Sequence, residues 1–197
     1  MSTQAEAVDG TAGDITELSG VLQRAFETDP FHRWVLRSDR AWRQGSDRLW
    51  ACVLSMSVFN GKLLTTPDLA GAAIWSPPGY EAPAMGALRA LVTLGWYSGT
   101  RLPTLLKGFS LQDEHKPDAP HWYLYAIGTD PQQQGRGVGS ALIRPMLELC
   151  DNQGLAAHLD TNTESNVRFY EGHGFRVSGE FDLPDGPHSW AMTRPAQ

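Results

Sequence analysis

Three glycines at alternate positions, Gly135, Gly137 and Gly139, sit between an apolar strand-like run at 122–129 and an apolar helical run at 138–153. No other stretch restricts the chain as much. The first N–H groups of a helix lack acceptors within it, and glycine lets the main chain bend so that several of them converge. Such a nest is positively polarised and suits a pyrophosphate, with Arg136 placed to add a charge-assisted contact. Taken alone, the same run also serves as a turn that only redirects the chain, so its meaning depends on the strand and helix around it.

Those surroundings read as mixed α/β. Asp14 and Glu17 have capping-box spacing, and Ile15, Leu18, Val21, Leu22, Ala25 and Phe26 recur at helical intervals until Asp29-Pro30 stops the pattern. A second helix is expected over 40–59, then strands over 62–66 and 70–76 that end at Pro77-Pro78-Gly79. Two helices are expected between Pro83 and Ser110, and 113–120 reads as a surface connection. Beyond the glycine helix come a strand at 155–161, a short helix at 166–173, and two strands about Pro184-Asp185-Gly186. At 197 residues the chain fits one domain, with no internal repeat.

A dinucleotide site is the main competitor, because Gly135-x-Gly137-x-x-Ser140 approximates GxGxxG/A and Asp160 stands about 20 residues on. Three features oppose it. Ser140 replaces the third glycine, the 130–134 segment is long for a tight strand-to-glycine turn, and only 37 residues follow Asp160, too few to complete a doubly wound sheet.

Two separated motifs carry a more specific resemblance. Gln134-Gly135-Arg136-Gly137-Val138-Gly139 fits Q/R-x-x-G-x-G/A, and Asn166 through Tyr170 to Gly174-Phe175 fits N-x-x-x-x-Y-x-x-x-G-F; together, in this order, they resemble the GNAT superfamily of N-acetyltransferases. Residues 116–194, about two-fifths of the chain, further resemble the puromycin acetyltransferases within it. The resemblance implies a GNAT acyl-CoA N-acyltransferase fold: a central, mostly antiparallel, twisted sheet with splayed middle strands, flanked by helices. It implies acetyl-CoA as cosubstrate, with 121–197 as its binding core and 1–120 on the acceptor side.

Residue by residue, the resemblance assigns Ile127, Gly128 and Thr129 to the pantetheine arm. Gln134, Gly135, Arg136, Gly137, Val138, Gly139 and Ser140 are assigned to the diphosphate, and Asn166 and Phe169 to further coenzyme contacts, with Asn166 also a candidate helix cap. Tyr170 matches the family's acid, a phenol that stays protonated at neutral pH and can protonate a leaving thiolate; its alternative is an ordinary core or rim aromatic. Asp160 aligns with a glutamate base one methylene longer, which favours a relay through water; the alternative is a strand-end acid that caps or orients a neighbour. Alternation puts it on one strand face with His158 and Ala156. His115 and His121 are weaker candidates.

The acceptor that follows is a small-molecule amine. A protein or peptide N-acetyltransferase and a non-catalytic acyl-CoA-binding module are the alternatives. Trp34, Trp42, Trp50, Trp75, Trp96 and Tyr97 serve either an aromatic acceptor pocket or ordinary packing. A formal charge of −6, with scattered Lys and Arg, argues against nucleic acid. The absence of metal-ligand spacing argues against a metal, and Cys52 and Cys150 form no disulfide framework. The polar start at 1–14 and the lack of a run of ~18 apolar residues point to a cytoplasmic protein without a membrane span. Homodimers are common in the resembled family, but no stretch marks an interface.

Overall fold

The computed structural model describes residues 6–197; the first five residues of the polar start lie outside the described residues. One seven-stranded sheet runs in the order β1-β2-β3-β4-β5-β7-β6. Its strands are β1 (Val8–Asp9), β2 (Lys62–Thr65), β3 (Gly71–Ser76), β4 (His121–Thr129), β5 (Ala156–Thr161), β6 (Arg176–Asp182) and β7 (His188–Arg194). Every neighbouring pair is antiparallel except β4 with β5. Strand β1 is a two-residue edge too short to read from sequence. Among the described residues no helix is long and apolar enough to cross a membrane.

The helices are α1 (Ile15–Ala25), α2 (Pro30–Val35), α3 (Asp39–Asn60), α4 (Ala84–Ser98), α5 (Leu102–Glu114), α6 (Val138–Gln153) and α7 (Glu164–Glu171). Two starts differ from the sequence reading. The Asp14 carboxylate turns back to accept from the backbone N–H and the hydroxyl of Thr11, at 2.8 and 2.7 Å, so the box forms one turn earlier than the Asp14/Glu17 spacing suggests. Asp29-Pro30 does stop α1, but it also starts α2: Asp29 is the N-cap, accepting from His32 N–H at 2.9 Å, and Pro30 fills the first helical position, where a missing N–H costs nothing.

Packing divides over the two sheet faces. Helix α6 covers one, burying Leu142, Ile143, Met146 and Cys150 against Trp75, Leu124 and Leu159. On the other, α1 and α3 bury Leu18, Leu22, Trp50 and Leu54 against Ala72, Ile74 and Ala126. Each fully buried large apolar side chain contributes about 1.5–3 kcal/mol. A third cluster, built on Trp34, Leu36, Trp42 and Leu105, joins α2 to α5. The β6–β7 turn closes over it: Trp34 Nε1 donates to the Pro184 carbonyl at 2.9 Å, and Arg37 donates to that of Asp185 at 2.6 Å.

Strand β4 is irregular where it matters. Ala126 pairs with Ile74 and Leu124 with Trp75, leaving Tyr125 as an extra residue. This bulge inverts the alternation, so Trp122, Leu124 and Ile127 pack toward α6 while Ala126 packs toward α1. Strands β4 and β5 pair only from His121↔Ala156 to Tyr123↔His158 and then part. The β5-side main chain of β4 beyond Tyr123 is thereby released from the ladder.

Candidate active site

The glycine loop is positioned from both ends. Asp130 caps a single 3-10 turn, Pro131–Gln133, accepting from Gln132 N–H at 3.0 Å, while its other oxygen takes Arg24 of α1 at 2.6 and 3.0 Å. Asp130 N–H donates to the Ala70 carbonyl at 2.8 Å, tying the loop to the start of β3. Gly135 and Gly137 then take left-handed φ values of 74° and 82°, and Gly137 is the N-cap of α6 with no side chain to cap it. A Cβ at either would meet nothing within 4 Å, so open space lies above the loop and the conformation, not crowding, selects glycine. Val138, Gly139 and Ser140 thus open α6 as its first turn, with unused N–H groups.

A cavity of about 430 Å³ lies over this turn. Of the sequence-selected coenzyme residues, Ile127, Thr129, Gln134, Gly135, Gly137, Val138, Gly139, Ser140, Asn166 and Phe169 line it, as does Tyr170; Gln133, not selected, joins them. Two do not line it. Gly128 faces α1, where a Cβ would stand 2.8 Å from Leu22 and from Phe26, so its glycine permits close helix packing. Arg136 is exposed and off the cavity wall. Asn166 lies inside α7, three residues past its N-cap Thr163, and is not that helix's cap. The donor set suits the diphosphate and pantetheine of coenzyme A: main-chain N–H groups, small residues and an open trough.

Tyr170 sits at the inner wall of this cavity, 7% exposed. Burial pushes its phenol above the ordinary value, and the Asp29 carboxylate adds to the effect. It remains a neutral donor throughout the working pH range.

A second cavity, of about 540 Å³, opens at the other end of the released β4 edge. Tyr80, Tyr123, Tyr125 and Phe109 supply aromatic walls, and Asp113, Lys116 and Asp160 the charges. Tyr125, the bulged residue, is 50% exposed. Asp160 shares its β5 face with His158, as alternation requires. Tyr123 donates its hydroxyl to Asp160 Oδ2 at 3.0 Å, whereas Asp160 Oδ1 is buried with no hydrogen-bond partner among the described residues. Burial raises the Asp160 pKa to about 6, against the lowering effect of the Tyr123 bond and of Lys116 and His115. His158 is fully buried and held neutral, its pKa lowered to about 3 by burial.

Of the other candidates, His121 lines the second cavity and pairs with the Ala119 carbonyl at 2.9 Å, while His115 pairs with the Leu111 carbonyl and stacks on Phe181. The aromatic set splits: Trp42 and Trp50 line a further apolar cavity, Trp34 and Trp75 are core, Trp96 is exposed, and Tyr97 donates to the Gln44 carbonyl. Cys150 is buried, its thiol raised to about 11.

Sequence reading missed His32. Its Nδ1 lies 2.7 Å from Asp29 Oδ1, its ring stacks on Trp50, and it lines the second cavity. Asp29-Pro30-x-His32, an N-cap acid with a histidine in the first turn, was the available signal, hidden while Asp29-Pro30 read only as a stop.

The family model described as "Acetyltransferase (GNAT) family" matches residues 73–175, just over half of the chain. An uncharacterized N-acetyltransferase of Schizosaccharomyces pombe is 26% identical, covering 83% of this chain and 71% of that protein. Among solved structures, the histone acetyltransferase HPA2 and related acetyltransferase of Corynebacterium glutamicum superposes with a TM-score of 0.77 at 21% identity, over 99% of this chain and 98% of that one. Arylalkylamine N-acetyltransferase 2 of Aedes aegypti gives 0.68 at 14% identity, over 99% and 100%.

Proposed function

Because the chain belongs to the GNAT acetyltransferase family and is an acetyl-CoA-dependent N-acetyltransferase, we propose that it acetylates the primary amine of a small molecule by direct attack, with both substrates bound at once. The two halves of the chain act as one domain, 121–197 holding the coenzyme and 1–120 giving most of the acceptor wall. One observation carries the reading: two cavities flank a single strand edge, released from its partner at Tyr123, with Tyr170 on one and Asp160 on the other.

Acetyl-CoA supplies the activated acyl carbon and a thiolate leaving group. Main-chain N–H groups of Val138, Gly139 and Ser140 bind the diphosphate, and the released edge at Ile127, Gly128 and Thr129 aligns the pantetheine. A preorganised amide at that edge, facing the thioester oxygen as charge develops, lowers the barrier by about 3 kcal/mol. Asp160, on the cavity wall and held by the Tyr123 bond to Oδ2, receives the amine and accepts its proton directly or through one water. The C–N bond forms first, placing the charge on oxygen; collapse of this tetrahedral intermediate breaks the C–S bond, and Tyr170 donates its proton to the departing sulfur and regains one from solvent. Holding both partners in line supplies most of the remaining acceleration.

Free-thiol release from acetyl-CoA across a panel of amines tests this reading. Small primary amines are expected to release thiol. Puromycin belongs in the panel because residues 116–194 resemble the enzymes that acetylate it, and its failure alone removes only that substrate. Release with peptides and with no small amine would transfer the assignment to protein substrates.

A further inference from the structure

A third cavity, of about 270 Å³, lies between α2, α3, α4 and α5. It shares Phe31, His32, Phe109 and Tyr125 with the acceptor cavity, so the two adjoin across these side chains beside the β4 bulge. Their chemistry differs sharply. The acceptor cavity carries Asp113, Lys116 and Asp160, whereas among the described residues no Asp, Glu, Lys or Arg lines the third. Its walls are aliphatic and aromatic, including Trp42, Trp50, Leu91 and Leu94. Two of its polar side chains are engaged: Ser46 Oγ accepts from Gln23 at 2.5 Å, and His32 Nδ1 pairs with Asp29. Protein interiors are close-packed, and an apolar space of this size is better filled by apolar ligand atoms than by water, which finds too few partners there.

We propose that this cavity is the tail subsite of the acceptor, so that the substrate class is an amphipathic amine: a primary amine at Asp160 joined, past Phe31, His32 and Tyr125, to an uncharged alkyl or aryl tail. The proposal rests on the amine-acceptor reading given above. It disfavours acceptors with a second charge at the far end, because a cation among these side chains has no carboxylate on the lining to compensate it. Polyamines and aminoglycosides are therefore poor substrates, and so are peptides, whose backbone amides would go unpaired among these side chains.

The test is a series of straight-chain primary amines from two to eight carbons, with 2-phenylethylamine and diamines of matched length. Each buried methylene is expected to raise kcat/KM about fourfold until the cavity is filled, and a matched diamine to fall at least roughly 100-fold below its monoamine. Ala90→Phe, which projects new volume from α4 into the cavity, is expected to flatten the chain-length dependence; its coenzyme A affinity, read by calorimetry, reports that the variant is folded. Calorimetry of the same amines with protein saturated by coenzyme A reads the tail increment without turnover. Thiol release with a flat length dependence overturns the tail subsite and leaves acetyl transfer standing. A clear binding increment without thiol release supports the subsite and overturns the transfer, and the lack of both overturns the two together.

Discussion

The coenzyme side and the acceptor side of this molecule are built from different materials. Along the trough proposed for the coenzyme the lining groups come mostly from main chain: a loop bent by Gly135 and Gly137, the first turn of α6, and an edge of β4 released from β5, with Asn166, Phe169 and Tyr170 of α7 beside them. Across the acceptor cavity they come from side chains of α2, α5, β4, β5 and the segment after β3. A main-chain site binds the same diphosphate whatever the neighbouring side chains are. A side-chain site changes its ligand with each substitution, which lets one coenzyme serve many acceptors. The two proposed proton carriers divide accordingly, Tyr170 on the leaving thiol and Asp160 on the amine.

The sharpest way to break this division is Tyr170→Phe. Removing the hydroxyl should lower kcat by roughly 10³ while leaving the coenzyme Kd within about twofold, if main chain holds the coenzyme as proposed. Stopped-flow single turnovers and calorimetry on the same preparation read both values. A kcat within threefold of the parent would remove Tyr170 from the chemistry.

Asp160→Asn comes next and acts in opposite directions on activity and stability. Turnover at pH 8 should fall by roughly 10², and the parent's kcat/KM should drop as pH falls through about 6, where Asp160 becomes protonated. Its folded pKa exceeds the unfolded value, so the folded state holds its proton more tightly. That favours folding at low pH, and the advantage disappears as pH rises through about 6. Replacing the carboxylate should therefore raise the melting temperature at pH 8, by an effect on the order of 2 kcal/mol, and leave it unchanged at pH 4. Equal effects at both pH values would show that the strain lies elsewhere.

The same division explains what the sequence made legible. Most of the coenzyme trough falls in one stretch, 127–140, and glycine spacing at a strand-to-helix junction is a local rule, so eight of the residues chosen there line the cavity, joined by Asn166 and Phe169 from α7. The other elements from 15 to 114, α2 apart, were readable too, since their apolar periodicity is strong, but their mutual placement was not. Trp42 and Trp50 line a cavity while Trp34 and Trp75 fill core, and nothing in the local sequence separates these fates. The β4 bulge escaped notice because it depends on the register with β3. Helix α2 was hidden by a Pro that both ends one helix and begins the next, and His32 was hidden with it.

Gly137→Val tests the main-chain half directly. A β-branched residue is poorly tolerated at φ 82°, and the strain, roughly 2 kcal/mol, must be relieved by moving the N–H groups of the first turn of α6. The coenzyme Kd should rise about 30-fold, with the amine dependence of the remaining activity unaltered. If instead amine KM shifts with it, the two cavities are not independent.

Arg136→Ala carries the smallest effect and the sharpest distinction between sequence and structure. By motif alone Arg136 belongs to the diphosphate, yet its side chain is exposed and off the cavity wall, where a solvated charge acts only through a screened field. The expected loss in coenzyme affinity is about threefold or less at low salt, vanishing at 0.5 M NaCl. Val138, Gly139 and Ser140 would then hold the diphosphate by main chain, as the trough geometry supports. A loss above tenfold that persists in salt would instead mean that the loop closes over the coenzyme and brings the guanidinium into direct contact with phosphate. In that case the coenzyme side also selects its ligand through a side chain, and the contrast between the two halves becomes one of degree.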